Sequence, residues 1–160
     1  MDFSKIFEMQ KALDKTISLH HKVKSEEIIE KRILALIVEV SEFANELASF
    51  KYWKKQKNIN REHIIEEFID GIHFFVSLSL QLNSNNIIHA KIISDDLNKQ
   101  LLNVFSTITD LTINFNKEKL ETSFSLYLGV AKLCDISNQD IETYYISKNK
   151  INYERIANNY

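Results

Sequence analysis

Carboxylates at Glu39, Glu42 and Glu46 interrupt a run, 36–46, that otherwise reads as buried helix, and Glu67 and Asp70 repeat the device within 64–75. An isolated ionised carboxylate in an apolar site is strongly disfavoured, so these groups need either water or a cation. At about 100° per residue, Glu39, Glu42 and Glu46 fall within roughly 60° of one another and flank the apolar stripe of their helix. Glu67 and Asp70 share a face at i,i+3, with His63 and Phe74 beside them. Four carboxylates from adjacent helices, Glu39, Glu42, Glu67 and Asp70, would stay ionised together in a partly dry site only around cations. Oxygen-only ligands favour Mg²⁺ or Mn²⁺ over zinc, and Mg²⁺ completes its shell with water and substrate phosphates. Such a site suits metal-assisted attack of water on a phosphoanhydride. Glu46 and Glu66 read as solvated or as neighbours of the ligands. The competing reading is a pair of ordinary solvated acidic faces.

The elements that must hold these groups are helices. The chain of 160 residues fits one domain, 1–160, and its 44% hydrophobic and 26% charged residues are ordinary for a globular protein. No Pro and only two Gly leave few turn punctuators, which makes long helices the default. Gly71 falls mid-helix at a cost of about 1 kcal/mol against Ala, so the close approach of a ligand or another helix would account for it. A net charge of −2 provides no broad basic footprint for nucleic acid. The lone Cys134 excludes an internal disulfide and fits a reducing cytoplasm. No apolar stretch has the length of a signal-peptide core at the N-terminus or of a membrane span anywhere.

Helical apolar spacing predicts a first helix over Ser4 to Lys22, a second over Glu26 to Lys54 and a third over Arg61 to Leu82. The polar run Lys54–Asn60 reads as a loop and Asn83–Asn86 as a turn. A fourth helix is expected over Ile87 to Ile113 and a fifth over Lys117 to Leu133. Ser137-Asn-Gln-Asp140 has the form of a capping box opening a sixth, and Lys148 to Tyr160 reads as a short helix with an irregular end. The pattern predicts an all-α bundle of four to six helices with enough apolar surface left over for a dimer.

Glu39-x-x-Glu42 followed by Glu67-x-x-Asp70 resembles the metal motif of the MazG-like all-α nucleoside triphosphate pyrophosphohydrolases. Within them the chain is most similar to the dimeric dUTPases of bacteria, phages and trypanosomatids. The resemblance rests on the strings at 7–14, 34–39, 50–53, 67–74 and 145–155, and above all on Lys148, Asn149, Asn152 and Arg155 in a K-N-x-x-N-x-x-R pattern. It implies hydrolysis of dUTP and dUDP to dUMP by a cytoplasmic homodimer using two or three Mg²⁺ ions, with Mn²⁺ as a substitute. On that resemblance Glu39, Glu42, Glu67 and Asp70 bind metal, and Glu39 and Glu42 serve catalysis, Glu39 also orienting the attacking water. Lys148 and Arg155 hold phosphates, and Asn152 faces the sugar or base. Gln10 hydrogen-bonds uracil beside Asp14, while Trp53, His73 and Phe74 wall the base pocket. A substrate-binding tail, 148–160, closes with Tyr160.

Several of these residues have structural rivals: Trp53 as a cap on the bundle, His73 and Phe74 as core, Lys148 and Arg155 as surface cations. The sequence also departs from the family pattern. Ile156 stands where a Gln is common, Asn159 where Gly is common, and Asp14 where Asn is common. Asp14 keeps open a related enzyme acting on dCTP or another pyrimidine nucleotide. A non-catalytic nucleotide-binding interaction protein is the remaining alternative.

Overall fold

The computed structural model describes residues 1–55 and 60–158. Among them the chain forms six α-helices: α1 (Ser4–His21), α2 (Ile29–Leu47), α3 (Arg61–Gln81), α4 (Leu97–Asp110), α5 (Lys117–Leu133) and α6 (Asn138–Ala157). The all-α bundle read from apolar spacing is the fold. No described helix is long and apolar enough to cross a membrane.

The third helix is the axis of the bundle. It packs most extensively against α2, and also against α1, α5 and α6, while α4 lies mainly on α5. Its apolar residues leave almost no solvated face, with Phe68, Ile69, Ile72, Phe75, Val76 and Leu78 all fully enclosed. Phe68 stacks on Tyr127 with ring centroids 4.4 Å apart, and Phe75 stacks on Phe124 at 4.8 Å. The Tyr127 hydroxyl donates to the Phe68 carbonyl at 3.0 Å. A Cβ on Gly71 would lie 2.6 Å from that hydroxyl oxygen, so the mid-helix glycine is explained by the approach of α5.

The starts of α3, α5 and α6 agree with their signals. Asn60 caps α3, Asn116 caps α5, and Ser137 and Asp140 complete the expected capping box of α6. Stops and connections differ in three places. The expected helix from Glu26 to Lys54 is instead a 3₁₀ turn, Ser25–Ile28, followed by α2, which ends where Ala48 adopts φ 51° and donates its N–H to the Ala44 carbonyl. A left-handed alanine costs about 1–2 kcal/mol, and no local signal announces it. Side-chain bonds surround the stop: Lys51 Nζ donates to the Asn45 carbonyl at 2.9 Å, six residues back, and Ser49 Oγ donates to Asn98 of α4 at 2.7 Å.

The expected helix from Ile87 to Ile113 loses its first ten residues. That segment runs extended beside the N-terminus, where Phe3 N–H donates to the Asn86 carbonyl at 2.7 Å and Ile88 N–H to the Met1 carbonyl at 3.0 Å. The third difference is at the C-terminus, where α6 continues as one helix to Ala157 in place of the short helix expected from Lys148. Asn159 and Tyr160 lie outside the described residues, as does most of the loop expected at Lys54–Asn60.

Candidate functional site

Glu39 on α2 and Glu67 and Asp70 on α3 bring carboxylate oxygens within 4.8 Å of one another. The two helices are antiparallel across this region: Glu39 meets Asp70, while Glu46 further along α2 meets His63 at 3.9 Å. The i,i+3 spacing on α3 and one facing residue on α2 are therefore enough to assemble the trio. Glu42 does not join it. Its side chain is exposed, and it acts on the trio through its charge alone. The expected quartet is thus three converging carboxylates and one at the rim. Glu46 and Glu66 stay outside the trio, each beside the half-buried His63.

Burial is the first cause that pushes Glu39 up to about 7, with Asp70, Glu42 and Glu67 adding repulsion and Lys148 opposing it. Glu67 is raised for the same reasons. Asp70 is also raised by burial, although the Lys148 ammonium hydrogen-bonds it and Arg155 adds a further positive charge. Raised carboxylates gathered at one place are a site that favours a cation, and three hard oxygen donors suit a divalent ion such as Mg²⁺ or Mn²⁺. Lys148 supplies positive charge there itself, with Nζ 2.6 Å from Asp70 Oδ2. In this structure the lysine expected to hold phosphate is instead paired with a candidate metal ligand.

A cleft of about 420 Å³ opens beside the carboxylates, within the roughly 300–1,000 Å³ typical of small-molecule sites. Glu39 and Asp70 form part of its wall, and α6 adds Asn152, Arg155 and Ile156. Lys148, Asn152 and Arg155 recur at i, i+4 and i+7, so the continuous helix presents all three on one face. His73 and Phe74 also line the cleft, but Trp53 does not. It is exposed at the turn after α2, edge-on to Tyr52 with centroids 5.1 Å apart.

Beneath the cleft lies a buried polar network. Asp14 accepts from Gln10 Nε2 and from Ser77 Oγ, both at 2.7 Å, and lies 3.5 Å from the guanidinium of Arg32. Gln10 Oε1 accepts from the Tyr145 hydroxyl and meets His73 Nδ1 at 2.8 Å. Gln10, which lines the cleft, therefore already has a protein partner at each end of its carboxamide. The His73 ring stacks on Tyr145 at 4.2 Å, and burial, aided by the Lys148 charge, pushes its pKa down to about 3. His73 is therefore neutral. Its Nε2 and the Asn149 Nδ2 are buried without a hydrogen-bond partner. Each such group costs about 1–3 kcal/mol, which a protein seldom tolerates without use.

Arg32 and Ser77 belong to this network and were not singled out by sequence, while Asn149 was read only as part of the K-N-x-x-N-x-x-R pattern. A cation on the apolar stripe of α2 and an anion on the apolar face of α1 are together the signal of a buried ion pair, and that pairing is visible only once the two faces are known to meet.

A sequence model of the dUTPase family matches residues 2–160. No curated protein and no solved structure matches the chain. The match runs through every helix that contributes to the carboxylates and the cleft, and the chain belongs to the dUTPase family, as an all-α dUTP diphosphatase.

Proposed function

We propose that the chain, acting as one unit over 1–160, hydrolyses dUTP and dUDP to dUMP in a Mg²⁺-dependent reaction at the cleft between α1, α2, α3 and α6. The observation that carries this reading is the convergence of Glu39, Glu67 and Asp70 at the wall of a nucleotide-sized cleft. Divalent cations held by these three residues, with Glu42 contributing from the rim, would neutralise the phosphates and acidify an attacking water. Two or three Mg²⁺ ions are the expected complement, with Mn²⁺ able to substitute.

Glu39, facing Asp70 across the cleft wall, orients the attacking water and takes up its proton. With cations bound at Asp70, Lys148 would be free to leave that carboxylate and join the Arg155 guanidinium on the phosphates. Asn152 contacts the sugar or base, and Phe74 and His73 wall the base. Tyr160 completes the substrate contacts from beyond the described residues. The alternative dCTP reading drew on Asp14 standing where Asn is common, since an ionised Asp cannot donate. Both Asp14 oxygens already accept from protein donors, which supports the uracil reading.

The enzyme works as a cytoplasmic homodimer. Exposed Leu102 and Ile113 on and after α4 support that reading, and sedimentation of the purified chain tests it. The decisive experiment is hydrolysis of each (d)NTP with and without Mg²⁺, following pyrophosphate release. Activity on dUTP that needs Mg²⁺ and falls at least about 100-fold in Glu67→Gln is expected. Metal-independent turnover, or no preference for dUTP, overturns the reading.

A further inference from the structure

We infer that His73 Nε2 is the hydrogen-bond acceptor for the imide N–H of the substrate base, and that Asp14 fixes it in that state through Gln10. The inference rests on the uracil-nucleotide reading above and adds to it the atom that selects the base. Three steps lead to it, and each follows from donor and acceptor chemistry. The Asp14 carboxylate accepts only, so the Gln10 atom facing it at 2.7 Å must be the amide nitrogen. Gln10 then turns its carbonyl oxygen toward His73 Nδ1, 2.8 Å away, and an amide oxygen cannot donate. Nδ1 must therefore carry the imidazole proton, which leaves Nε2 with a bare lone pair.

That lone pair has no protein partner, and His73 lines the cleft. The atom itself is buried, so a ligand reaches it only by displacing neighbouring side chains. Uracil carries a hydrogen on N3, where cytosine carries a lone pair. An acceptor at this position rewards the first base and repels the second. Asp14 is accordingly a positioning residue: it keeps its carboxylate on Gln10 with the help of Ser77 and Arg32, and sets a tautomer one side chain further on.

Nitrogen NMR of the full-length chain with labelled histidine tests the relay without any nucleotide. His73 is expected wholly as the Nδ1–H tautomer, and an Nε2–H tautomer in the wild-type chain overturns the inference. Saturation with Mg²⁺ and α,β-imido-dUTP labelled at the base nitrogens then tests the contact. A nitrogen–nitrogen coupling across the hydrogen bond between uracil N3 and His73 Nε2 is expected, and its absence overturns the inference. Asp14→Ala removes the acceptor that holds the Gln10 amide nitrogen and frees Gln10 to turn. It should shift His73 toward the Nε2–H form and lower the kcat/KM preference for dUTP over dCTP at least tenfold, mainly through KM. An unchanged tautomer and preference in the folded variant would refute the relay. A wild-type chain that hydrolyses no dUTP defeats the functional reading instead, while the nucleotide-free tautomer still decides the role of Asp14.

Discussion

Two buried glutamines show how differently this bundle uses the same side chain. Gln100, fully enclosed at the start of α4, uses its whole carboxamide on backbone: Nε2 donates to the Lys91 and Leu126 carbonyls, and Oε1 accepts from the Ile93 and Ser94 N–H groups. These bonds pin the extended 87–96 segment across α5, where it passes so close that a Cβ on Gly129 would lie 2.1 Å from the Lys91 oxygen. The result is a closed network, with no polar atom left over. Gln10 is buried to a similar degree, but two of its partners, Asp14 and His73, line the cleft, and the network ends on the orphaned His73 Nε2. A satisfied network rigidifies the fold, whereas one that stops at an unpaired acceptor holds an interaction in reserve for a ligand. The difference predicts that damage at Gln100 is read in stability and damage at Gln10 in activity.

The sharpest test is Gln100→Leu. It strands two carbonyls and two N–H groups inside the fold, and chemical denaturation should show a loss of about 4 kcal/mol. The remaining folded protein should keep its KM for dUTP. A large change in KM with little change in stability would break the contrast. Next in size is Arg32→Leu, which leaves the Asp14 carboxylate in the protein interior without its cation and should cost about 3 kcal/mol. In the double variant with Asp14→Leu, the deficit should shrink well below the sum of the single losses, because both charges then leave the interior together.

A smaller stability effect, about 1–2 kcal/mol, is expected for Gln10→Leu, since water entering the cleft can meet the exposed ends of its network. Activity should fall much further, at least about 30-fold in kcat/KM for dUTP. Equal losses of stability at Gln10 and Gln100 would erase the distinction between them.

The smallest effect concerns the carboxylates. Glu39 keeps its proton to about pH 7 in the folded chain but releases it near 4.5 when unfolded. Between those values the native state binds more protons, so stability without metal is highest below about 4.5 and falls as pH rises through 7. Because Glu39 is partly solvated, the loss should amount to about 1 kcal/mol. Thermal melts from pH 4.5 to 8 should show this slope in chelator, lose it with saturating Mg²⁺, and show it reduced in Glu39→Gln, where Glu67 and Asp70 remain raised.

The legibility of the sequence followed the range of the interactions involved. Caps at Asn60, Asn116 and Ser137 work within three residues, and the helices they open are where local chemistry places them. The end of α2 at a left-handed Ala48 and the extended 87–96 segment depend on partners far along the chain, so apolar periodicity overran both. At the site, the periodicity of α2 and α3 was enough to find the carboxylates. It could not tell that Glu42 lies at the rim, because a helical wheel gives an angle and no distance to the facing helix. Trp53 shows the same limit in a turn, where aromatic character says nothing about which way the chain folds back.

By itself, then, the sequence determined the all-α class, the starts of α3, α5 and α6 and the acidic faces, because each is encoded by neighbours three or four residues apart. Only the tertiary structure decided that Lys148 pairs with Asp70 and that Gln10 is held by Asp14, His73 and Tyr145. It alone left the His73 nitrogen unpaired. Those outcomes depend on how the faces of α1, α2, α3 and α6 meet. Hydrogen-bond satisfaction is a property of that assembled interior, where water is excluded and each donor must find its acceptor on another element.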